Sequence, residues 1–345
     1  MVANAAPLCQ ARYGFHVGFR NRVRPETIKI GEFLSFTDDA TRSRATLRAL
    51  LGQFSDVRFD IAEEAALPDR PSSMRAARLR LRDDHGREVR GFLTGPTGEW
   101  RGLPAVLYCH AHGNRYAIGA SELLEGRPAI IDPPYGEALA ANGLVALCID
   151  MPTFGDRAAE DESSAAKRHL WQGRTLFGQM LADLGGALAL LRTLPGVDPD
   201  CIGVMGLSMG ATHAFWLGAL QPDVKAIAHL CCFADLATLV ETGAHDLHGP
   251  YMTVPGLLPR FSTGRIAGLA APTPQLAMMG RLDPLTPPAA IERAVSEASA
   301  AYAAAGAAGA FEVHVSDDTG HVETPAMRAA TLDFLSRTLS PARRG

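Results

Sequence analysis

The chain has 345 residues, of which 47% are apolar and 20% charged, and its formal net charge is −4. These proportions supply material for a large core and differ from those of disordered chains, and the weak negative charge gives no reason to expect nucleic acid or an anionic membrane as a partner. No run of about 18 uncharged apolar residues is present to predict a membrane-spanning helix. Residues 1–10 carry neither a basic segment nor a long apolar run, so we expect no signal peptide.

The sequence contains six cysteines, which are Cys9, Cys109, Cys148, Cys201, Cys231 and Cys232. Most of them lie in strand-like apolar runs and no Cys-x-x-Cys occurs, so zinc ligation has little support. Buried free thiols that act as small apolar side chains are the better interpretation. Together with the lack of a signal peptide, they predict a reducing, cytoplasmic location.

The N-terminal part predicts irregular chain followed by a helix over residues 40–54. Asp38 can cap this helix, and its leucines recur at helical spacing. We therefore predict an N-terminal extension of residues 1–72 with one amphipathic helix, packed on a catalytic domain of residues 73–345. The extension could also help to roof an active site.

The catalytic domain begins with two alternating polar and apolar segments, residues 74–82 and 88–93, which predict a β-hairpin. Continuous apolar runs predict buried strands at residues 103–109, 143–150, 201–205, 224–232, 274–280 and 311–315. Helices are expected at residues 175–194, 288–305 and 326–339. Between them, residues 235–261 form a long, mostly irregular insert. This alternation predicts an α/β fold with a mostly parallel central sheet and helices on both faces.

The segment Gly206-Leu207-Ser208-Met209-Gly210 lies between an apolar run and a small-to-apolar helical segment, and so predicts a strand, a sharp turn and a helix. Such a turn holds Ser208 in a strained backbone conformation with its hydroxyl exposed. Gly206 and Gly210 are needed because strand and helix crowd the turn. Free N–H groups of the helix N-terminus point at the space beside the serine. A nucleophilic serine is therefore predicted here.

A nucleophilic serine needs a base, and the base needs a carboxylate that orients it. Hydrolases with this turn carry the three in the order serine, acid, histidine. Asp283 directly follows a predicted buried strand, and His321 follows the next strand along the chain. Because open α/β sheets place their chemistry at the carboxyl ends of the strands, we expect both side chains beside Ser208.

Three other residues compete for these roles. Asp235 and Asp246 are rival acids, but Asp283 is favoured because it comes directly after a strand. His314 alternates with the residues of a predicted strand, so it is interpreted as a packed histidine, and His321 is favoured as the base.

At these motifs the sequence resembles the α/β-hydrolase superfamily and, more narrowly, its dienelactone hydrolase and acetyl-xylan-esterase-like branch. The resemblance covers about residues 75–340. It is carried by His110-Ala111-His112-Gly113-Asn114, Asp150-Met151-Pro152-Thr153-Phe154-Gly155-Asp156-Arg157, the segment from Gly206 to Gly210, Gly280-Arg281-Leu282-Asp283 and Gly320-His321. It implies an α/β-hydrolase fold with a triad of serine, aspartate and histidine, and no cofactor.

Ester hydrolysis by a serine passes through a tetrahedral oxyanion, which two converging N–H groups must stabilise. One donor is expected to be the backbone N–H of Met209, directly after the serine. The other is expected from the loop after the first parallel strand. The resemblance implies the N–H of Asn114, and the N–H of Gly113 is the alternative.

The resemblance also places residues 150–157 beside the oxyanion hole. An ion pair between Asp150 and Arg157 would pin this loop, and a structural loop without substrate contact is an equal alternative. The candidate walls of the substrate pocket are His112, Phe154, Trp171 and Tyr251.

Two clusters raise the question of a metal. His110 and His112 could share one face of a strand, but further ligands are not apparent, so we expect no metal ion to bind there. The insert carries a second polar cluster of Glu241, His245, Asp246 and His248. Its spacing could suit a cation, although a loop that lines the substrate pocket is the better interpretation and plain surface a comparable one.

These features predict a serine hydrolase that cleaves small carboxylic esters through an acyl-enzyme. Short acyl chains are expected from the resemblance and because the polar insert is unlike a lipase cover. A thioester, a lactone or a C–C bond is an alternative substrate for the same triad. A serine peptidase is less favoured, since no propeller-like domain precedes the catalytic one. A non-catalytic binding module is disfavoured because all three triad members are present. The oligomeric state stays open.

Overall fold

The computed structural model describes residues 36–52 and 57–340. Nine strands in this part of the chain form one sheet. They are β1 (Phe59–Ala66), β2 (Met74–Asp83), β3 (Glu88–Pro96), β4 (Leu103–Cys109), β5 (Val145–Ile149), β6 (Val197–Leu207), β7 (Ala226–Leu230), β8 (Gln275–Gly280) and β9 (Phe311–Ser316).

The sheet has the spatial order β1-β2-β3-β5-β4-β6-β7-β8-β9. The first three strands are antiparallel to one another, and β3 also pairs antiparallel with β5. From β5 to β9 all neighbours are parallel. The predicted hairpin and the predicted mostly parallel sheet are both confirmed. Because parallel strands align their carboxyl ends, the loops after β4, β6, β8 and β9 gather at one edge of the sheet.

The described residues also form ten α-helices. They are α1 (Phe36–Leu51), α2 (Glu122–Glu125), α3 (Tyr135–Ala141), α4 (Glu162–Trp171), α5 (Leu176–Thr193), α6 (Met209–Leu220), α7 (Leu236–Thr242), α8 (Thr263–Gly268), α9 (Pro288–Ala304) and α10 (Pro325–Thr338). The side chain of Thr175 accepts a hydrogen bond from the N–H of Gly178 at 2.9 Å. This cap satisfies a donor of the first turn, which explains where α5 begins.

Strand β4 shows how the two faces of the sheet are filled. Ala105, Leu107 and Cys109 belong to one apolar cluster, Val106 and Tyr108 belong to the other, and all five are buried. Side chains alternate across a strand, so a continuous apolar run fills both faces. Truncating a side chain such as that of Leu107 to alanine typically costs about 2–5 kcal/mol of stability.

Helix α1 packs on the helices that cover the sheet. Leu47 is fully buried, and Arg44 donates to the carbonyl oxygens of Ala219 at 2.8 Å and Leu269 at 2.7 Å. Arg48 donates to a third carbonyl at 2.6 Å, that of the last residue of α6. Cations at a helix C-terminus interact favourably with the helix dipole, so these arginines stabilise the docking of α1.

Strand β1 is not predicted from the sequence. Only Phe59 of this strand is fully buried, so it lacks the alternation that marks a half-buried strand. It pairs with β2 at the edge of the sheet. The division into an extension of residues 1–72 and a catalytic domain stays a prediction, and residues 1–35 lie outside the described part.

The insert over residues 235–261 contains regular structure, contrary to the prediction. Asp235 accepts the N–H of Thr238 at 3.0 Å and so begins α7. Gly243, with φ of 80°, ends it. An aspartate before a helix and a glycine after it are typical cap residues. The two caps stabilise α7 although the helix is short.

Candidate active site

Ser208 lies at a sharp turn between β6 and α6. Its φ is 58° and its ψ is −121°, a backbone conformation that is costly for a residue with a side chain. A Cβ on Gly206 would lie 2.4 Å from the carbonyl carbon of Gly210, and a Cβ on Gly210 would lie 1.9 Å from the carbonyl oxygen of Cys109. The crowding predicted at both glycines is confirmed, and it holds α6 against the end of β4.

Ser208, His321 and Asp283 form one hydrogen-bonded row. Nε2 of His321 is 2.8 Å from Oγ of Ser208, and Nδ1 of His321 is 2.6 Å from Oδ2 of Asp283. Asp283 is 2% exposed, whereas His321 is half-buried. The structure therefore brings together the three side chains predicted as nucleophile, base and acid.

Backbone contacts hold the loops of the acid and the base against each other. The N–H of Leu282 donates to the carbonyl oxygen of Thr319 at 2.9 Å, and Oδ1 of Asp283 accepts the N–H of Leu285 at 2.9 Å. A Cβ on Gly280 would lie 2.4 Å from the carbonyl oxygen of Thr319. The loops after β8 and β9 are thus one packed unit, and this unit fixes the row.

The row also sets the direction in which protons can move. The carboxylate of Asp283 only accepts, so Nδ1 of His321 carries a hydrogen and Nε2 presents its lone pair to the hydroxyl of Ser208. A lone pair in this position can take the hydroxyl proton as the oxygen attacks a carbonyl carbon. The arrangement is suited to forming and breaking an acyl ester on the serine.

The N–H groups expected to bind an oxyanion differ in availability. Met209 is the first residue of α6, and N–H groups of a first helical turn have no acceptor within the helix. The N–H of Asn114, however, donates to Nδ1 of His112 at 3.0 Å, so the donor implied by the resemblance is already engaged. Gly113 lines the cavity at Ser208, and its N–H has no protein acceptor among the described residues. Gly113 is therefore the better candidate.

Three of the four predicted pocket walls pack together behind this loop. The ring of His112 lies 5.2 Å from that of Phe154 and 5.7 Å from that of Tyr251, measured between centroids, and all three are buried. Trp171 is 88% exposed and cannot wall a pocket. It is two residues from His169 on the buried face of α4, and two positions along a helix lead to the opposite side.

The predicted ion pair between Asp150 and Arg157 is wrong. Oδ2 of Asp150 lies 2.9 Å from Nε of Arg90 on β3. Arg157 instead donates to the backbone carbonyl of Asp150 at 3.0 Å and to the carboxylate of Asp183 at 2.8 Å. Burial raises the pKa of Asp150, and a buried carboxylate is stabilised only by a close and well-oriented cation. That cation comes from a neighbouring strand rather than from the loop itself.

One cavity borders the row, and a second lies beside the helix that begins at the nucleophile. The first, of about 150 Å³, is lined by Ser208 and His321, by Gly113, Arg115 and Arg127. The second is smaller, with a volume of about 20 Å³, and both polar and apolar residues line it. The polar ones include Thr212, Cys232 and His248, and the apolar ones include Phe177, Trp216 and Leu239. Thr212 lies one helical turn after Ser208 on α6.

One member of the polar insert cluster, His248, borders the site. Nε2 of His248 lies 2.9 Å from the carbonyl oxygen of Leu285 in the acid loop. The other members, Glu241, His245 and Asp246, are exposed. The two interpretations of the cluster, pocket lining and plain surface, therefore each hold for part of it.

The residues that competed with the acid and the base lie apart from the row. The carboxylate of Asp235 caps α7 and lies 3.4 Å from Arg293, and Asp246 is exposed on the insert. His314 is exposed on β9, so its interpretation as a packed histidine is wrong. β9 is the last strand of the sheet, and an edge strand has a solvent side even where the sequence alternates.

In residues 36–52 and 57–340 no group of three or more His, Cys, Asp or Glu side chains is placed to hold a metal ion. His110 and His112 have separate partners, since Nε2 of His110 accepts the N–H of Met151 at 3.1 Å and His112 meets Glu162. Burial lowers the pKa of His110 to about 3, so its ring is neutral and structural.

Two buried glutamates beside the site, Glu122 and Glu162, are not predicted from the sequence. Glu122 accepts the hydroxyl of Tyr108 at 2.7 Å and the N–H of Ala111 at 3.1 Å, and it forms an ion pair with Arg127. Glu162 is also buried. Both residues lie in the first turn of a helix, where an acidic residue is usually a solvated feature that complements the dipole, so no local signal marks them as buried.

The chain is similar to proteins of a known family. The dienelactone hydrolase family matches residues 134–238. Over 297 residues the chain is 35% identical to YtaP of Bacillus subtilis (strain 168), a protein named as a hydrolase, and the match covers 86% of this chain and 98% of that protein. The chain belongs to the dienelactone hydrolase family.

Several solved structures similar to this family member are esterases. Acetyl xylan esterase 1 from Thermoanaerobacterium sp. matches with a TM-score of 0.60 at 16% identity, over 88% of this chain and 94% of that one. A glucuronoyl esterase from Solibacter usitatus matches with a TM-score of 0.63 at 13% identity, over 88% and 93%. At these identities the likeness shows the fold, and the predicted α/β-hydrolase fold is confirmed. Family and fold together support an ester hydrolase.

Of the helices described in this dienelactone hydrolase family member, none combines the length and the apolar character needed to cross a membrane.

Proposed function

We propose that the protein is a serine hydrolase that cleaves small carboxylic esters through an acyl-enzyme. The observation that carries this proposal is the row of Ser208, His321 and Asp283, with distances of 2.8 and 2.6 Å. It stands at a strained turn and opens on a cavity of about 150 Å³. Nucleophile, base and orienting carboxylate in this order are the working parts of acyl transfer.

In the proposed reaction, Oγ of Ser208 attacks the ester carbonyl while Nε2 of His321 takes the hydroxyl proton. The tetrahedral intermediate collapses as His321 gives that proton to the leaving alcohol. A water molecule then attacks the acyl-enzyme while His321 takes a proton from it, and His321 gives this proton to Oγ of Ser208 as the acyl group leaves as a carboxylic acid. Asp283 holds the imidazole tautomer and stabilises the imidazolium in both halves. The steps need no cofactor.

The proposed oxyanion donors are the N–H groups of Met209 and Gly113. Removing one such donor typically costs about 2.7–4 kcal/mol of transition-state stabilisation. Two side chains hold the backbone of the loop before Gly113. Arg127 donates to the carbonyl oxygen of Ala111 at 2.9 Å, and Glu122 accepts the N–H of the same residue. This support favours a preorganised donor.

The smaller cavity is the proposed site for the acyl group. Its volume is about 20 Å³, and a single water molecule needs roughly 10–15 Å³ by the same measure. A methyl group therefore fits, whereas a longer chain has to displace apolar side chains such as Leu239. This supports a preference for short acyl groups, and for acetyl above all. The larger cavity is left for the leaving alcohol.

A panel of p-nitrophenyl esters from acetate to laurate, beside a thioester and a lactone, tests the proposal. We expect the highest kcat/KM for acetate and a decline with chain length. Faster turnover of laurate would make the enzyme lipase-like. Turnover of the thioester or the lactone alone would move the proposal to that substrate, which the same row can serve. A fluorophosphonate should label Ser208, and labelling that survives Ser208→Ala would end the assignment of the nucleophile.

A reducing, cytoplasmic location is proposed from the thiols. The described cysteines are unpaired, and they are Cys109, Cys148, Cys201, Cys231 and Cys232. Cys9 lies outside the described residues. Thiol titration of the denatured, unreduced protein should find all six. A disulfide detected by mass spectrometry would contradict the proposed location.

A further inference from the structure

Behind the oxyanion loop lies a second carboxylate–imidazole pair, which the proposed reaction does not use. Nε2 of His112 is 2.7 Å from Oε2 of Glu162, and the two side chains are 10% and 3% exposed. On its other side, Nδ1 of His112 accepts the N–H of Asn114 at 3.0 Å. The pair thus connects α4 to the loop that carries the proposed oxyanion donor.

The contacts of Glu162 fix the tautomer of His112. Because Nδ1 accepts a hydrogen bond, the neutral ring holds its hydrogen on Nε2 and donates it to the carboxylate. The other partners of Glu162 are donors too, namely the hydroxyl of Tyr116 at 2.7 Å and the N–H of Tyr251 at 2.9 Å. Only a group that accepts without donating can satisfy all three, and an ionised carboxylate does so.

The electrostatics agree with an ionised Glu162. Burial raises the pKa of this carboxyl group, whereas its interactions with His112, with Tyr116 and with the N–H of Tyr251 lower it, and the net shift of the pKa is downward. The carboxylate is therefore ionised at neutral pH and available to hold the hydrogen of His112 on Nε2.

The insert closes over the pair. A Cβ on Gly249 would lie 2.5 Å from Oε1 of Glu162 and 3.0 Å from Nε2 of His112, so only glycine lets the insert backbone come this close. The N–H of Tyr251, two residues later, then reaches the carboxylate. This cover excludes water, and hydrogen bonds in such a site are stronger than in solvent.

We propose that Glu162 is a positioning residue for the oxyanion loop and that it acts through the tautomer of His112. The carboxylate keeps hydrogen on Nε2, which leaves Nδ1 free to anchor the N–H of Asn114. That anchor fixes the preceding residue, Gly113, whose N–H is the proposed oxyanion donor. The expected effect on rate rests on the proposed serine hydrolysis, whereas the tautomer does not.

The variant Glu162→Gln tests the effect on rate. A glutamine accepts through one oxygen and donates through its amide, so at least one of the three donors then faces an N–H. If His112 responds by moving its hydrogen to Nδ1, it opposes the N–H of Asn114 and loses the anchor. On p-nitrophenyl acetate we expect kcat to fall about 10–100-fold, less than for outright removal of an oxyanion donor, with KM changed by less than about threefold.

Two variants separate this effect from a plain loss of packing. Glu160→Gln, two residues away and exposed in a pair with Arg168, should leave kcat unchanged within about twofold. Tyr116→Phe removes one donor to Glu162, but the carboxylate still accepts the hydrogen of His112, so the tautomer should not change. This variant should therefore lower kcat clearly less than Glu162→Gln does. An equal loss in Tyr116→Phe would overturn the inference, because packing would then set the rate.

The route through His112 is tested by a double-mutant cycle. The Oδ1 of asparagine in His112→Asn can accept the N–H of Asn114, as in an Asx turn, and it has no tautomer to choose. Glu162→Gln should therefore cost about threefold or less in the His112→Asn background. The full cost in that background would overturn the proposed route.

The tautomer itself is measured by ¹⁵N NMR of the histidine-labelled wild-type protein. The resonances of His112 are assigned by their loss in His112→Asn, and we expect a neutral ring with hydrogen on Nε2. Hydrogen on Nδ1, alone or together with Nε2, would overturn the inference. This measurement needs neither a folded Glu162→Gln variant nor turnover of any ester, so it fails independently of the proposed function.

Discussion

The candidate active site contains two carboxylate–imidazole pairs with nearly the same nitrogen–oxygen distance. His321 lies 2.6 Å from Asp283, and His112 lies 2.7 Å from Glu162. The pairs differ at the second ring nitrogen. For His321 it faces the hydroxyl of Ser208, whereas for His112 it faces a backbone N–H.

This second partner decides what each histidine can do. A hydroxyl can give up its proton to an imidazole while its oxygen attacks, so His321 is placed to act as a base. A backbone N–H keeps its proton, so His112 can only hold the loop in place. Exposure follows the same division, since the side chain of His321 is 24% exposed and that of His112 10%. A carboxylate beside a histidine is therefore no evidence of proton transfer by itself.

We expect the largest loss of kcat from variants of Ser208 and of His321, the histidine that faces the serine hydroxyl. Ser208→Ala and His321→Ala should each lower kcat by about 10⁶, as in other enzymes with this triad. His112→Ala should cost far less, because the row remains complete. The measurement is kcat on p-nitrophenyl acetate, with circular dichroism to check folding. If His112→Ala were as damaging as His321→Ala, the two pairs would not have different roles.

A second variant tests the carboxylate of the pair that Asp283 forms with His321. Asp283→Asn keeps the shape but favours hydrogen on the wrong ring nitrogen, and we expect kcat to fall by about 10⁴. Asp246→Asn is the control, since Asp246 is exposed on the insert and should change kcat by less than about twofold. Equal losses in the two variants would move the acid to the insert.

The pH dependence of stability tests whether Glu162, in its pair with His112, is ionised. Burial raises the pKa of Glu162, but its interactions with His112, with Tyr116 and with the N–H of Tyr251 lower it, and the folded pKa lies below the ordinary value. Its ionised form thus stabilises the fold fully above the unfolded pKa of about 4.3, and this contribution is lost as the pH falls through the lower folded pKa. Between about pH 6 and pH 3, the Tm of the wild type should therefore fall more steeply than that of Glu162→Gln. Parallel curves, with Asp246→Asn as reference, would contradict the assigned ionisation.

The smallest effect is expected at a histidine that belongs to neither pair. His314 is exposed on β9, so His314→Ala should change the free energy of unfolding by less than about 0.5 kcal/mol and leave kcat unchanged. Urea denaturation and the acetate assay check both values. A large loss of rate would return His314 to the list of candidate bases.

The residues of the candidate site whose placement follows from the sequence depend on short stretches of chain. The turn at Ser208 follows from two glycines that leave room for its helix. The positions of Asp283 and His321 follow from their places in the loops after the neighbouring strands β8 and β9. Neighbouring parallel strands end at the same edge, so these loops meet whatever the detailed packing.

The parts that could not be predicted depend on partners far apart in sequence. Asp150 was matched with Arg157 because they are close along the chain, but burial selects a cation by direction and distance, and Arg90 provides it. Glu162 carries no local sign that it meets His112 fifty positions earlier. The same holds for the N–H of Asn114, whose acceptor is visible only once the loop is folded.

The distribution of indole rings gives the molecule a fluorescent reporter. It contains three tryptophans, of which Trp216 is 2% exposed and lines the smaller cavity, while Trp171 is 88% exposed. Iodide should therefore quench the emission of Trp171 much more strongly than that of Trp216. In a Trp171→Phe background, a change in emission on mixing would follow the filling of the cavity in real time. Colourless natural esters could then be screened without a chromogenic leaving group.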